Sequence, residues 1–384
     1  MKIAILGTRG IPNYYGGFEQ CAEFLALGLV SRGHQVIVYS SHNHPYKQDQ
    51  WKGVKLVHCF DPEDKIGTAG QFIYDLNCVI DLRRRKVDII LQLGYTSSSV
   101  WGWLLPKNTA VTTNMDGLEW RRTKYSRRIQ KFLLYAEGLA VKYSDHLISD
   151  SKGIQEYLKE KYERESCYIP YGADVFLNPD ETVLIEYGLQ RYNYDMLIAR
   201  LEPENSIEII LDGVVKATNR RTFLVVGKHT TKYGEYLKKK YFEFPNIQFL
   251  GGVYNMKKLD SIRYFSNVYF HGHTVGGTNP SLLEAMASSS LVCANSNSFN
   301  RHILGDDGLY FDTDEDVAQI IIETKKSSEV FQTMLLKNLQ KLEMLYSWEK
   351  IVQQYLDHFE SVEGKVSRFR FKHWISKRIH RSAE

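Results

Sequence analysis

The chain has 384 residues, 43% of them hydrophobic and 24% charged, a globular composition long enough for two domains and a large core. A formal net charge of only +4 excludes a polycation of the nucleic-acid-binding kind. The five cysteines (Cys21, Cys59, Cys78, Cys167 and Cys293) are widely spaced and form no C-x-x-C pair, which argues against a disulfide framework or a zinc site and for a reducing cytosol.

From the N-terminus, residues 2–7 (KIAILG) read as a buried strand ending at glycine, too short for a signal peptide. Residues 17–32 place Phe18, Cys21, Ala22, Leu25 and Leu29 at helical spacing, and His34–Ser40 is a second strand. Further strands are predicted at 54–58, 87–93, 109–113, 146–149 and 166–169. The pattern breaks near 172–192, at Gly172, Asn178, Pro179 and Gly188, and then restarts. Strands at 194–199, 222–227, 247–250, 267–271 and 291–294 follow, with a helix at about 205–218. A last helix, 347–361, carries Trp348, Ile351, Val352, Tyr355 and Phe359 on one face.

This alternation predicts an α/β protein of two doubly wound, parallel-sheet units facing across a cleft. The expected division is 1–175 for the first doubly wound unit and 176–346 for the second. Residues 347–362 form a helix crossing back to the first unit, and 363–384 a basic amphipathic tail. Ligands of such sheets bind at the carboxyl ends of the strands, so the cleft is the expected site.

Strand one runs into Gly7-Thr8-Arg9-Gly10-Ile11-Pro12 and on to Gly16-Gly17-Phe18-Glu19. A dinucleotide site would need G-x-G-x-x-G here and an acid closing strand two, which instead ends in Tyr39-Ser40-Ser41. Gly16 and Gly17 precede a helix, where backbone N–H groups can meet an anion or a sugar hydroxyl; the alternative is a turn needing positive φ.

The strongest signal is His271-Gly272-His273-Thr274-Val275-Gly276-Gly277-Thr278-Asn279-Pro280-Ser281-Leu282-Leu283-Glu284. A strand enters it and a helix leaves it. Thr278 or Asn279 can cap that helix and Pro280 suits its first turn, which gives a positive helix end for a diphosphate. Glu284, one turn in on the face of Ser281 and Gly277, can accept hydrogen bonds from two ribose hydroxyls. The alternative is a well-capped core helix with Glu284 on its solvated edge. Arg200 closes the first strand of the second unit and can hold a diphosphate bidentately; the alternative is an ion pair with Glu202 or Glu204. Asp116-Gly117, followed by Glu119 and Trp120, joins carboxylates to an aromatic, as sugar binding favours, or is a plain turn.

These segments resemble the retaining glycosyltransferases of family 4, with the GT-B fold. The likeness is nearest to bacterial β-1,4-rhamnosyltransferases of surface-polysaccharide synthesis. It rests on GTRGIPNYYGGFE at 7–19, NMDGLEWRRTKYS at 114–126, DHLISDSKGIQEYL at 145–158, YIPYGADVF at 168–176, ARLEPENSIE at 199–208 and HGHTVGGTNPSLLEAMASS at 271–289. The resemblance implies that Arg200 contacts the donor diphosphate, that Glu284 holds the ribose, and that backbone at Gly277, Thr278 and Asn279 binds phosphate. It places Gly251, Gly252, Val253 and Tyr254 along the base, and Gly16 and Gly17 beside the donor sugar. Tyr14, Tyr15, Asp116, Glu119 and Trp120 fall on the acceptor side, with Asp116 near the reacting sugar.

Two positions depart from the family pattern. Gly276 stands where the first of two glutamates is usual, so His273 or Asn279 is the candidate substitute, and Asn205 stands where a lysine is usual. Both are compatible with a deoxy-sugar donor, dTDP-rhamnose first. The reaction implied is transfer with retention onto a lipid-linked saccharide, with no cofactor and no metal required. Asp312-Thr313-Asp314 reads as a turn rather than a metal motif. Alternatives of the same architecture are a UDP-hexose transferase, a sugar-nucleotide epimerase and a non-catalytic nucleotide-sugar-binding protein.

No apolar run approaches the roughly 18–20 residues of a membrane span. Two stretches, 121–134 and 365–381, mix Lys and Arg with Phe, Trp, Ile or Leu, the profile of a segment lying on anionic lipid. Nucleic-acid binding and a plain solvated face are the alternatives. A lipid-linked acceptor favours the membrane, with the protein cytoplasmic and peripheral on the inner face of the cell membrane.

Overall fold

The computed structural model describes residues 1–218, 221–253 and 255–366. The chain divides into two compact units. The first comprises residues 1–120 and 127–171 and is completed by the C-terminal helix Trp348–Val362; the second comprises 121–126 and 172–347.

The first unit is built on eight strands: β1 (Lys2–Leu6), β2 (Gln35–Ser41), β3 (Gln50–Trp51), β4 (Val54–Cys59), β5 (Ile89–Leu93), β6 (Ala110–Asn114), β7 (His146–Ser149) and β8 (Cys167–Tyr168). Their order is β3-β4-β2-β1-β5-β6-β7-β8, and every pairing is parallel except that of β3 with β4. Successive side chains of a strand point to opposite faces, so a continuous apolar strand supplies two cores. In β1, Ile3 and Ile5 join one core with Leu25 and Leu29 of the helix Gly17–Ser31 and Ile351 and Phe359 of the helix Trp348–Val362. Ala4 and Leu6 join the opposite core with Tyr74, Cys78 and Leu82 of the helix Ala69–Leu82. Each fully buried Leu or Ile contributes about 1.5–3 kcal/mol relative to exposure.

The second unit carries β9 (Tyr194–Ile198), β10 (Thr222–Val226), β11 (Ile247–Gly251), β12 (Tyr269–His271), β13 (Val292–Asn295) and β14 (Leu309–Phe311). All its pairings are parallel, in the order β11-β10-β9-β12-β13-β14. Leu197, Phe223, Val225, Phe270 and Cys293 pack against the helices Ile207–Lys216 and Asp314–Glu323, while Met196, Leu224, Tyr269 and Val292 are buried on the other face. The predicted strands all form, with ends that differ from the predicted ones by no more than two residues. The short β3 and β14 were not anticipated, because two- and three-residue strands carry too little periodicity to read.

Among the described residues no helix is long and apolar enough to cross a membrane. The Asp312-Thr313-Asp314 turn is a helix start: Thr313 and Asp316 form a reciprocal capping box, and Asp314 pairs with Lys216 at 2.7 Å.

Candidate functional site

In the second unit the sheet order reverses between β9 and β12. β10 and β11 extend to one side of β9, and β12 to β14 to the other. A reversal of this kind leaves a crevice at the carboxyl ends of the two central strands, because their connections depart in opposite directions. The sequence-predicted donor residues leave from these two ends, Arg200 after β9 and the glycine-rich loop after β12.

The two loops are tied together. The Asn205 side-chain amide donates to the Arg200 carbonyl at 2.7 Å, which closes the turn Pro203–Asn205. The Glu204 carbonyl accepts from the Thr274 backbone N–H at 3.2 Å and the Thr274 hydroxyl at 2.7 Å. Gly272 sits where these loops cross, and a Cβ there would lie 2.1 Å from the Asn205 carbonyl oxygen, so only glycine fits. Arg200 itself is exposed, whereas Asn205 is buried with its amide spent on the loop.

The helix Pro280–Ala287 begins as the sequence predicts. Asn279 is extended, and its Oδ1 accepts from the Ser281 N–H at 3.0 Å, with Pro280 in the first turn. Thr278 is buried; Gly277 and Val253 are partly exposed. Gly276 has φ +138° with open space around its missing Cβ. A glutamate there would have room but would be strained in the backbone.

Glu284 is held from below. Its Oε2 accepts from Arg263 Nη2 at 2.7 Å, and Arg263 Nη1 donates to Asp260 at 2.6 Å. The arginine side chain is 1% exposed and that of Glu284 17%, so the carboxylate is anchored on one oxygen and reaches solvent. Ser281 exchanges a hydrogen bond with the Tyr269 hydroxyl at 2.8 Å. Arg263 is a partner of the candidate residue Glu284 that sequence reasoning missed, since nothing in its own helix, Met256–Phe265, connects it to Glu284, 21 positions away.

His273 stacks on His271 with ring centroids 4.4 Å apart and planes 17° from parallel. Neither ring nitrogen of His271 has a hydrogen-bond partner among the described residues. Burial holds His271 well below the usual histidine range. Burial, with Arg200 and Arg122 nearby, pushes His273 down to about 3. Both rings are therefore neutral at pH 7. His229, after β10, sets its ring near Gly251 at the end of β11 and was also missed from sequence. Tyr254 lies outside the described residues.

In the first unit the order reverses between β1 and β5. After β1, Asn13 Oδ1 accepts from the N–H groups of Tyr15 (2.9 Å) and Gly16 (3.2 Å), which sets up the helix at Gly17. Tyr171 donates its hydroxyl to the Gly17 carbonyl at 2.6 Å. Tyr14 and Tyr15 are 65% and 67% exposed, and the Arg9 guanidinium lies 3.9 Å from the Tyr15 ring centre.

Asp116, two residues beyond β6, adopts φ +50°, with its N–H donated to Asn114 Oδ1 at 3.0 Å. Aspartate is among the few non-glycine residues that adopt the left-handed region readily. Glu119 and Trp120 follow, partly exposed. Behind Trp120 lies a buried carboxylate, Glu137, which accepts from Tyr157 at 2.7 Å, Tyr162 at 2.6 Å and Lys161 at 3.0 Å. Lys161 also sits 5.3 Å from the Trp120 ring centre.

The basic stretch 121–134 does not act as one segment. Residues 121–126 group with the second unit, whereas the helix Arg127–Tyr143 belongs to the first and buries Leu133, Ala136 and Ala140 in its core. Arg127, Arg128, Lys131 and Tyr135 remain exposed. Of the other stretch, 365–381, all but residues 365 and 366 lies outside the described residues.

A family profile described as "Domain of unknown function (DUF1972)" matches residues 1–174. No curated protein matches the sequence. Among solved structures, sucrose-phosphate synthase from Thermosynechococcus elongatus is similar with a TM-score of 0.77 at 16% identity, over 94% of this chain and 98% of that one. Anabaena HepE in complex with UDP and glucose gives 0.73 at 16% identity, over 94% and 100%. WaaG, a glycosyltransferase involved in lipopolysaccharide biosynthesis, gives 0.66 at 14% identity, over 94% and 99%. Two parallel-sheet, Rossmann-like units and these likenesses give the chain the GT-B fold.

Proposed function

We propose that this protein is a glycosyltransferase that takes its sugar from a nucleoside-diphosphate donor bound to the second unit. One observation carries the reading. At the β9/β12 reversal, Arg200 and a capped helix start lie on adjacent strand ends, with Glu284 anchored one turn into that helix. Free N–H groups and the helix dipole suit a diphosphate, and the solvent-facing oxygen of Glu284 suits a ribose hydroxyl. HepE, of the same fold, has been crystallised with UDP-glucose, which supports a nucleotide-sugar donor.

In this reading the bond from the anomeric carbon to the diphosphate oxygen breaks and a bond from the acceptor oxygen forms. The acceptor proton passes to the departing diphosphate. Arg200 and the helix start stabilise the charge that develops on the leaving group. His273, neutral at pH 7, and Asn279 border the sugar where Gly276 leaves no side chain. Asp116, with Tyr14, Tyr15, Glu119 and Trp120, is proposed for the acceptor side.

The finer proposal is a rhamnosyl donor linked to dTDP, retention of configuration, and a lipid-linked saccharide acceptor of a bacterial surface polysaccharide. The departures at Gly276 and Asn205 support a donor with fewer hydroxyls to hold. Exposed Arg127, Arg128 and Lys131 support contact with an anionic membrane. Incubation with a panel of nucleotide sugars and a bacterial membrane extract tests it: one donor should yield its nucleoside diphosphate only when the extract is present. Conversion of a donor without extract, to a free or epimerised sugar, would overturn the reading in favour of an epimerase or hydrolase.

A further inference from the structure

The first sheet carries helices on both faces, and one of the two layers shows solvent an unusual mixture. The helices Gly17–Ser31 and Trp348–Val362 cover the face of Ile3 and Ile5. The opposite face, that of Ala4, Leu6 and Val111, is covered by the helix Ala69–Leu82 and the short helix Ser98–Leu104. Thr113 lies on the side of Val111, and its register partner Leu147 packs with Ala136 and Ala140 of the helix Arg127–Tyr143. These three helices therefore lie side by side as one layer. Trp101 Nε1 donates to the Phe72 carbonyl at 2.7 Å and Arg83 Nη1 to the Leu104 carbonyl at 2.6 Å, while the Phe72 and Phe132 rings are 5.7 Å apart.

The outer surface of this layer joins apolar and cationic side chains. Ile73 and Ile80 are exposed two turns apart on one stripe, which Arg84 continues. Arg128, Lys131 and Tyr135 form the outer stripe of the helix Arg127–Tyr143, opposite its buried Leu133, Ala136 and Ala140. On the short helix that packs against both, Trp103 is 59% exposed. The carboxylates of the layer do not answer its cations, since Asp75 and Glu137 are buried and Asp81 is paired with Arg85 at 3.0 Å. Cations alone suit any polyanion. An exposed indole and isoleucines beside them suit one into which apolar groups can sink, the interface of an anionic bilayer.

We propose that this layer is a docking surface for an anionic lipid bilayer, with Trp103, Ile73 and Ile80 in the interface and Arg84, Arg128 and Lys131 at the lipid phosphates. The inference deepens the membrane contact proposed above and rests on it. It moves that contact from a single basic stretch to three packed helices, two of which lie outside that stretch.

The test is sedimentation of the full-length protein with vesicles of equal parts phosphatidylglycerol and phosphatidylcholine, and of phosphatidylcholine alone. The anionic vesicles should bind at least about tenfold more tightly. Arg128→Gln and Lys131→Gln together should weaken that binding about 25-fold, since each surface cation is worth about fivefold. Trp103→Ala should weaken it about tenfold. Lys238→Gln, which removes an exposed cation of the second unit, should change it by less than about twofold. All the replaced side chains are exposed, so urea midpoints should match wild type. Anionic-vesicle binding that Trp103→Ala and the double variant leave unchanged overturns the inference and spares the membrane contact, which then belongs to another part of the chain. Equal binding to both vesicle types, or tighter binding to a short RNA duplex that the same variants abolish, overturns it as well. A wild-type protein that binds neither vesicle sinks the membrane contact with it, while nucleotide-sugar binding in solution tests the transferase reading separately.

Discussion

Arg263 donates to Glu284 at 2.7 Å from a side chain that is 1% exposed, so a buried guanidinium fixes the carboxylate proposed to hold the donor ribose. Removing the arginine leaves the carboxylates of Glu284 and Asp260, each 17% exposed, without their cation and opens a cavity, at a cost of about 3 kcal/mol. Arg263→Ala is therefore expected to lower unfolding stability by about 3 kcal/mol in a urea titration. Glu284→Gln, which keeps an acceptor oxygen for Arg263, should cost less while still weakening nucleotide binding. Equal stability for Arg263→Ala and wild type would show that the pair does not hold this region.

Arg200 makes the opposite prediction. It is exposed, and its contact to the loop is through its backbone carbonyl. Arg200→Ala should leave the unfolding midpoint unchanged and lower kcat/KM for transfer by about 100-fold or more, as loss of a group that meets developing charge does. Transfer at the wild-type rate would remove Arg200 from the site.

Gly276 has φ +138°, a backbone conformation that costs an L side chain about 1–3 kcal/mol. Gly276→Ala should lose stability by that amount. Gly276→Glu should lose as much and gain no activity. Higher activity in Gly276→Glu would mean that the loop can adopt the usual conformation and that the strain account is wrong.

His358 Nε2 meets the Thr112 hydroxyl at 2.8 Å, and burial, with His146 nearby, lowers its pKa to about 4. The folded value lies below the unfolded value of about 6.5, so the unfolded chain binds the proton first. Stability from this group is complete above about pH 6.5 and declines as pH falls towards 4, by about 1.4 kcal/mol per pH unit. Urea midpoints of wild type and His358→Gln, measured from pH 7 to pH 4, should show the shallower slope in the variant. Parallel slopes would contradict the assignment.

Much of this was legible in the sequence because it is local. The apolar runs gave β1, β2 and β10, the glycine break near 172 marked the end of the first sheet, and Asn279-Pro280 marked a helix start that forms as written. What escaped was long-range or conformational. Arg263 reaches Glu284 only through the packing of two helices, and the left-handed backbone of Asp116 has no signature beyond its residue type. The stretch 121–134 read as one basic segment because composition does not say which unit a cation faces, and the structure divides it between Ser126 and Arg127.

The most direct measurement is stoichiometric. Purified protein is incubated with each nucleotide sugar and bacterial membrane extract, and nucleoside diphosphate and incorporated sugar are counted in the same reaction. The account predicts one nucleoside diphosphate for each sugar joined to the acceptor, none without acceptor, and none from Glu284→Ala. Diphosphate release without a glycoside product, or the same release from Glu284→Ala, would contradict it.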